Sequence, residues 1–179
     1  MALLGRSNVG KSSVLNALAG TRGLARVSST PGRTQAVNFF RVGQELYLAD
    51  LPGYGYARVP EETRQGWERL VVSYLDGRDP LALCVFFVDA RHEPMEGDET
   101  LREWLEYRGK PYVVAANKAD KLGHGERARR ITALRSWVGP GARDVVAVSA
   151  RDGTGIDSLW ALIRGAAATH REHRKQRKG

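Results

Sequence analysis

Gly5-Arg6-Ser7-Asn8-Val9-Gly10-Lys11-Ser12 is the stretch that decides the fold. It fits the phosphate-binding pattern G-x-x-x-x-G-K-[ST], follows the apolar stub Met1-Ala2-Leu3-Leu4, and opens the helix-compatible run Ser13-Val14-Leu15-Asn16-Ala17-Leu18. A strand before and a helix after are the setting this motif requires. Its glycines let successive backbone N–H groups turn inward toward phosphate oxygens at a helix N-terminus. Lys11 is then expected to reach the terminal phosphates and Ser12 to offer its hydroxyl to Mg²⁺, so the predicted ligand is a nucleoside triphosphate.

Around that motif, hydrophobic runs alternate with helical patterns, the signature of an α/β fold with a mostly parallel sheet covered on both faces. The polar stretch from Gly20 to Gln35 reads as a long functional loop. Val37 to Val42 and Glu45 to Asp50 flank Gly43-Gln44, which predicts a hairpin and one antiparallel edge strand. Leu51 to Pro60 is too rich in glycine and proline for regular structure. Beyond it the pattern predicts helices around Trp67, Leu105, Leu134 and Leu159, and strands at Leu83–Asp89, Tyr112–Ala116 and Val145–Val148. The expectation is a single six-stranded domain over residues 1–168 and a basic, disordered tail over 169–179.

Bulk properties agree with one soluble core: the chain has 179 residues, of which 42% are hydrophobic and 27% charged. The single cysteine, Cys84, lies in an apolar run and reads as a buried small hydrophobe, which leaves no disulfide framework. No segment approaches the roughly 20 apolar residues of a membrane span and none resembles a signal peptide, so no membrane partner and a cytoplasmic location are expected. A net charge of +8, concentrated in Arg171-Glu172-His173-Arg174-Lys175-Gln176-Arg177-Lys178, points to a polyanionic partner.

Three further motifs complete a guanine-nucleotide site. Asp50-Leu51-Pro52-Gly53 ends a predicted strand, where Asp50 is placed to hold Mg²⁺ through water and the Gly53 N–H to meet the terminal phosphate. Asn117-Lys118-Ala119-Asp120 follows another strand. Asp120 can accept two hydrogen bonds from the ring N–H and amine of guanine, whereas adenine offers an acceptor there; such a mismatch discriminates by about 10⁴ to 10⁵. Asn117 is expected to tie this loop to the phosphate loop and Lys118 to lay its stem over the base. Ser149-Ala150, after the last strand, is expected to present backbone N–H to the guanine carbonyl, with Val148 at the strand's end beside it.

This order of motifs is that of GTPases of the Ras-like superfamily. Within it the chain most resembles the EngB family of bacterial GTP-binding proteins. The resemblance is carried by the phosphate loop through Ser13, by Thr30-Pro31-Gly32-Arg33-Thr34-Gln35 with Asn38-Phe39-Phe40, and by Asp50-Leu51-Pro52-Gly53-Tyr54-Gly55-Tyr56-Ala57. It extends through Asp89-Ala90-Arg91-His92 with Pro94 and Asp98, and through Asn117-Lys118-Ala119-Asp120-Lys121-Leu122.

The resemblance implies a P-loop NTPase G domain, here a monomer, that binds GTP and GDP and acts in assembly of the large ribosomal subunit and in septation. Ribosomal RNA would be its polyanionic partner. It adds Gly32, Arg33, Thr34, Gln35 and Ala36 to the nucleotide-binding set, with Thr34 completing Mg²⁺ coordination beside Ser12 and Asp50; Thr30 is the local competitor for that role. Asn8, Lys11, Thr34 and Gly53 are then the residues expected to carry hydrolysis. His92 reads as structural.

The chain departs from the family pattern at its start, where Met1 to Leu4 is nearly all that precedes Gly5; this reads as a shortened beginning. In keeping with the family, Tyr54 stands where many regulatory GTPases have a water-orienting glutamine, which implies slow intrinsic hydrolysis. Asn8 resembles the residue that potassium-activated GTPases carry in this loop, so K⁺ joins Mg²⁺ among the expected ions. Two other readings use the same motifs: a G domain cut from a tRNA-modifying GTPase, and a basic RNA-binding module that retains nucleotide only structurally. The Asp-Leu-Pro-Gly-Tyr-Gly-Tyr-Ala segment counts against the first.

Overall fold

Apolar residues stand on both faces of the central strands, so neighbours such as Leu3 and Leu4, Val85 and Phe86, or Val113 and Val114 bury against opposite layers. The computed structural model describes residues 1–21, 23–24, 36–44, 46–54, 61–76 and 81–177. Its strands are β1 (Ala2–Gly5), β2 (Asn38–Val42), β3 (Leu46–Asp50), β4 (Cys84–Asp89), β5 (Tyr112–Asn117) and β6 (Ala142–Ala147). They form one sheet in the order β2-β3-β1-β4-β5-β6. β2 and β3 pair antiparallel, with Phe40 opposite Leu48; all other pairings are parallel.

The helices are α1 (Lys11–Leu18), α2 (Glu61–Asp76), α3 (Glu96–Tyr107), α4 (His124–Trp137) and α5 (Ile156–Gln176), with a 3₁₀ turn at Ala119–Lys121. Among the described residues, no helix is long and apolar enough to cross a membrane. Leu15 of α1 and Leu159 and Ile163 of α5 pack on the face that carries Leu3, Val85 and Val113. The indole N–H of Trp160 donates to the Leu18 carbonyl at 2.6 Å, satisfying one of the last carbonyls of α1. Leu75, Leu105 and Leu134, from α2, α3 and α4, cover the other face. The chain therefore leaves β1 toward one face and β3 toward the other. That divergence opens a crevice at the carboxyl ends of the strands, where open α/β sheets bind ligands.

The α/β class, the six strands and the antiparallel edge are as expected from the sequence. Two boundaries differ by more than a residue. β6 starts at Ala142 rather than Val145, because Arg143 is exposed on this edge strand and masks the apolar run. The tail expected to be disordered from 169 is helical through Gln176. Ala166, Ala167 and Ala168 favour helix, and His173, Arg174 and Lys175 in the last turn complement the helix dipole.

Candidate functional site

The phosphate loop runs from the end of β1 into α1. Asn8 and Gly10 take left-handed backbone angles, φ 60° and 102°. Gly10 has a second reason to lack a side chain: a Cβ there would lie 2.3 Å from the Asn117 side-chain nitrogen. Lys11 is buried, and its ammonium donates to the carbonyls of Gly5 at 3.1 Å and Arg6 at 3.4 Å. Burial lowers its pKa, while Asp50 opposes that shift. The loop thus holds one cation in a desolvated position above a helix N-terminus, an arrangement suited to phosphate.

Asp50, at the end of β3, accepts from the Ser12 hydroxyl at 3.2 Å through one carboxylate oxygen; the other is buried without a hydrogen bond. Burial raises its pKa, and Lys11 and Ser12 pull it back. An orphaned carboxylate oxygen beside a hydroxyl fits a hard divalent cation completed by phosphate oxygens. Gly53 lies against the loop so closely that a Cβ would come within 2.7 Å of the Ser7 nitrogen and 2.9 Å of the Lys11 ammonium. Leu51 and Pro52, between Asp50 and Gly53, are buried.

At the other end of the crevice, the Asn117 side-chain amide donates to the Val9 carbonyl at 2.7 Å. Lys118, itself left-handed at φ 64°, donates to the Asn8 carbonyl at 3.0 Å and to Asp89 at 2.8 Å. The expected tie between the base loop and the phosphate loop is therefore made twice. Asp120 accepts from the Ser149 hydroxyl at 2.9 Å, and its second oxygen carries no hydrogen bond. Ala119 anchors the turn by donating its N–H to the Val148 carbonyl at 3.1 Å. The Ser149 N–H, expected to face the base, instead donates to the Thr154 carbonyl at 2.9 Å. Ser149 therefore orients Asp120.

Ser13 continues α1 behind Ser12. Ala36 is exposed ahead of β2, and Thr30, Gly32, Arg33, Thr34 and Gln35 lie outside the described residues, as do Gly55, Tyr56 and Ala57. His92 is exposed, with its backbone N–H donated to Asp89. Cys84 is buried, which pushes its thiol up to about 12. Sequence reasoning gave Asp89 no role at the site. Burial alone would raise its carboxyl, but bonds from Arg91 and Lys118 outweigh burial and hold it well below the usual carboxylate range. Its signal is positional: Asp89 ends β4 directly opposite Asn117 on β5.

A lysine-bearing phosphate loop leading from β1 into α1 of this mostly parallel sheet defines the G domain of the P-loop NTPases. Residues 1–118 match the family model described as 50S ribosome-binding GTPase. The chain is 45% identical over 163 residues to the probable GTP-binding protein EngB of Solibacter usitatus, covering 91% of this chain and 83% of that one. It is 44% identical over 168 residues to the counterpart from Geobacter sulfurreducens, covering 94% and 82%. Among solved structures, a probable GTP-binding protein engB superposes with a TM-score of 0.76 at 24% identity, over 94% of this chain and 98% of that one. Aquifex aeolicus Era bound to GDP·AlF₄⁻ gives 0.75 at 26% identity, over 90% and 54%. The chain belongs to the EngB family of GTP-binding proteins and is a GTPase.

Proposed function

We propose that this GTPase is a nucleotide switch in assembly of the large ribosomal subunit, and through it in septation and cell division. The observation that carries the reading is the match of residues 1–118 to a 50S ribosome-binding GTPase on a chain of net charge +8. The cationic excess at the end of α5, from Arg171 to Arg177, is the part offered to ribosomal RNA.

At the site, Asp120 takes the donor edge of guanine and Lys11 the terminal phosphates. Ser12 and Asp50, with Thr34, would hold Mg²⁺, which would supply positive charge to the bound phosphates. The Gly53 N–H meets the terminal phosphate. Asn8 is exposed at the loop tip, where it would hold K⁺ as a further positive charge. With Tyr54 in place of a glutamine, hydrolysis by the isolated chain is slow and awaits the assembling particle.

Co-sedimentation with separated ribosomal subunits tests the proposal. Binding to the large subunit with a non-hydrolysable GTP analogue, and release with GDP, is the expected result. Equal sedimentation in both nucleotides, or with the small subunit, would overturn it.

A further inference from the structure

Tyr54 does not leave its hydroxyl to the nucleotide crevice; it donates to Asp98 at 2.7 Å. Asp98 lies in the first turn of α3 and is buried, and its second oxygen accepts from the Met95 N–H at 2.9 Å. The Arg6 guanidinium stands 3.9 Å from that second oxygen, so the carboxylate is charge-balanced as well as hydrogen-bonded. The tyrosine ring rests on α3 at Gly97, where a Cβ would come within 3.0 Å of it.

The backbone is held from the opposite side. The Ser7 N–H donates to the Tyr54 carbonyl at 2.9 Å, and the Ser7 hydroxyl donates to the Gly53 carbonyl at 3.1 Å. Gly53 and Tyr54 are thus clamped between the phosphate loop, which grips their carbonyls, and α3, which grips the side chain. Burial and the neighbouring Asp98 carboxylate push the phenol well above its ordinary pKa, so it remains a donor at working pH.

We infer that Tyr54 is a positioning residue for GTP hydrolysis: its bond to Asp98 keeps Gly53 against the phosphate loop, ready for a terminal phosphate. Asp98 on α3 thereby acquires a physical role, and the residue that stands in place of glutamine acts through Gly53 rather than on the attacking water. GDP lacks the terminal phosphate and makes no use of the Gly53 N–H. Loosening the clamp therefore penalises GTP alone, because apparent affinity falls with the fraction of molecules in the competent arrangement. A hydrogen bond to a charged group shifts such an equilibrium by about 10- to 100-fold.

The test uses the full chain with Mg²⁺. Tyr54→Phe keeps the ring and removes the donor; it should lower the ratio of GTP-analogue to GDP affinity about tenfold and slow single-turnover hydrolysis, with GDP affinity unchanged. Asp98→Asn should act in the same direction, and the double variant should lose no more than the worse single one. Gly97→Ala supplies a check that leaves both bonding groups in place, since its methyl displaces the tyrosine ring while alanine's helix preference offsets part of the lost stability. It should lower the nucleotide ratio with GDP affinity unchanged. Equal loss of GTP and GDP affinity in Tyr54→Phe, additive losses in the double variant, or an unaltered ratio in both Tyr54→Phe and Gly97→Ala would each overturn the inference.

Discussion

Asp50 and Asp120 stand at opposite ends of one crevice, and each has one oxygen bonded to a serine hydroxyl and the other buried without a hydrogen bond. The similarity ends with the serines. Ser149 has its N–H tied to Thr154, while its hydroxyl donates to Asp120 and accepts from the Arg151 N–H, so the base end is ordered before a ligand arrives. Ser12 is itself an expected metal ligand, so the bond that orients Asp50 must be given up when an ion is taken. Asp120 has the cations of Lys121 and Arg151 both 3.7 Å from its second oxygen. Asp50 faces the buried Lys11 and is built to share its charge. One end is a fixed template and the other an exchange site.

The largest expected effect breaks the template. Asp120→Ala should weaken GTP and GDP alike by about 2 to 5 kcal/mol, the range for truncating one partner of a buried charged contact. Equilibrium titration with both nucleotides and with ATP checks it; equal competition by ATP for the wild-type site would contradict guanine selectivity. Ser12→Ala strikes the exchange site instead. It should cost about 1.5 to 3 kcal/mol of GTP affinity in Mg²⁺ and little in chelator, read by titrating Mg²⁺.

Smaller effects sharpen the contrast. Potassium should raise the hydrolysis rate over sodium at constant ionic strength by about tenfold, roughly 1.4 kcal/mol of barrier, and Asn8→Ala should remove the difference. Matched wild-type rates in the two salts would leave Asn8 as a loop-forming residue only. Asp89→Asn should have the least effect, about 1 kcal/mol or less. Because the Asp89 carboxyl lies below its unfolded value, its contribution is full above about pH 4 and fades as pH falls through the folded pKa. Denaturant titrations at pH 7 and pH 3 should therefore show the gap between wild type and variant beginning to narrow in acid.

Much of both ends is legible in sequence because it lies in short contiguous strings at the ends of apolar runs. Gly5 to Ser12 and Asn117 to Asp120 carry their roles in residue type and spacing, and the strand that precedes each is plainly hydrophobic. What is not legible depends on register. That Asp89 steadies Lys118 follows from β4 and β5 being in step, and that Ser149 turns its N–H to Thr154 follows from the turn before α5. Edge position hides the start of β6, since a half-covered strand admits Arg143 and Asp144 and loses its apolar signature. The helical tail escapes a reading of charge density alone, although three alanines carry α5 into it. The Thr34 assignment lies outside the described residues.

Asn117 and Lys118 reach across to the carbonyls of Val9 and Asn8, and Gly10 has no side chain to hold them off. These crossings make the crevice a caliper whose jaws, Asp120 and Lys11, are bolted at one separation. A guanine nucleoside entering alone must meet the whole loss of translational and rotational freedom with the contacts of one jaw. Once the base is seated, phosphates on a ribose of the right reach find the second jaw as an intramolecular event, so the two contributions multiply. A ligand whose base and phosphates are spaced otherwise gains one jaw or the other. The span between two loops, beside the chemistry of each, would then measure the nucleotide.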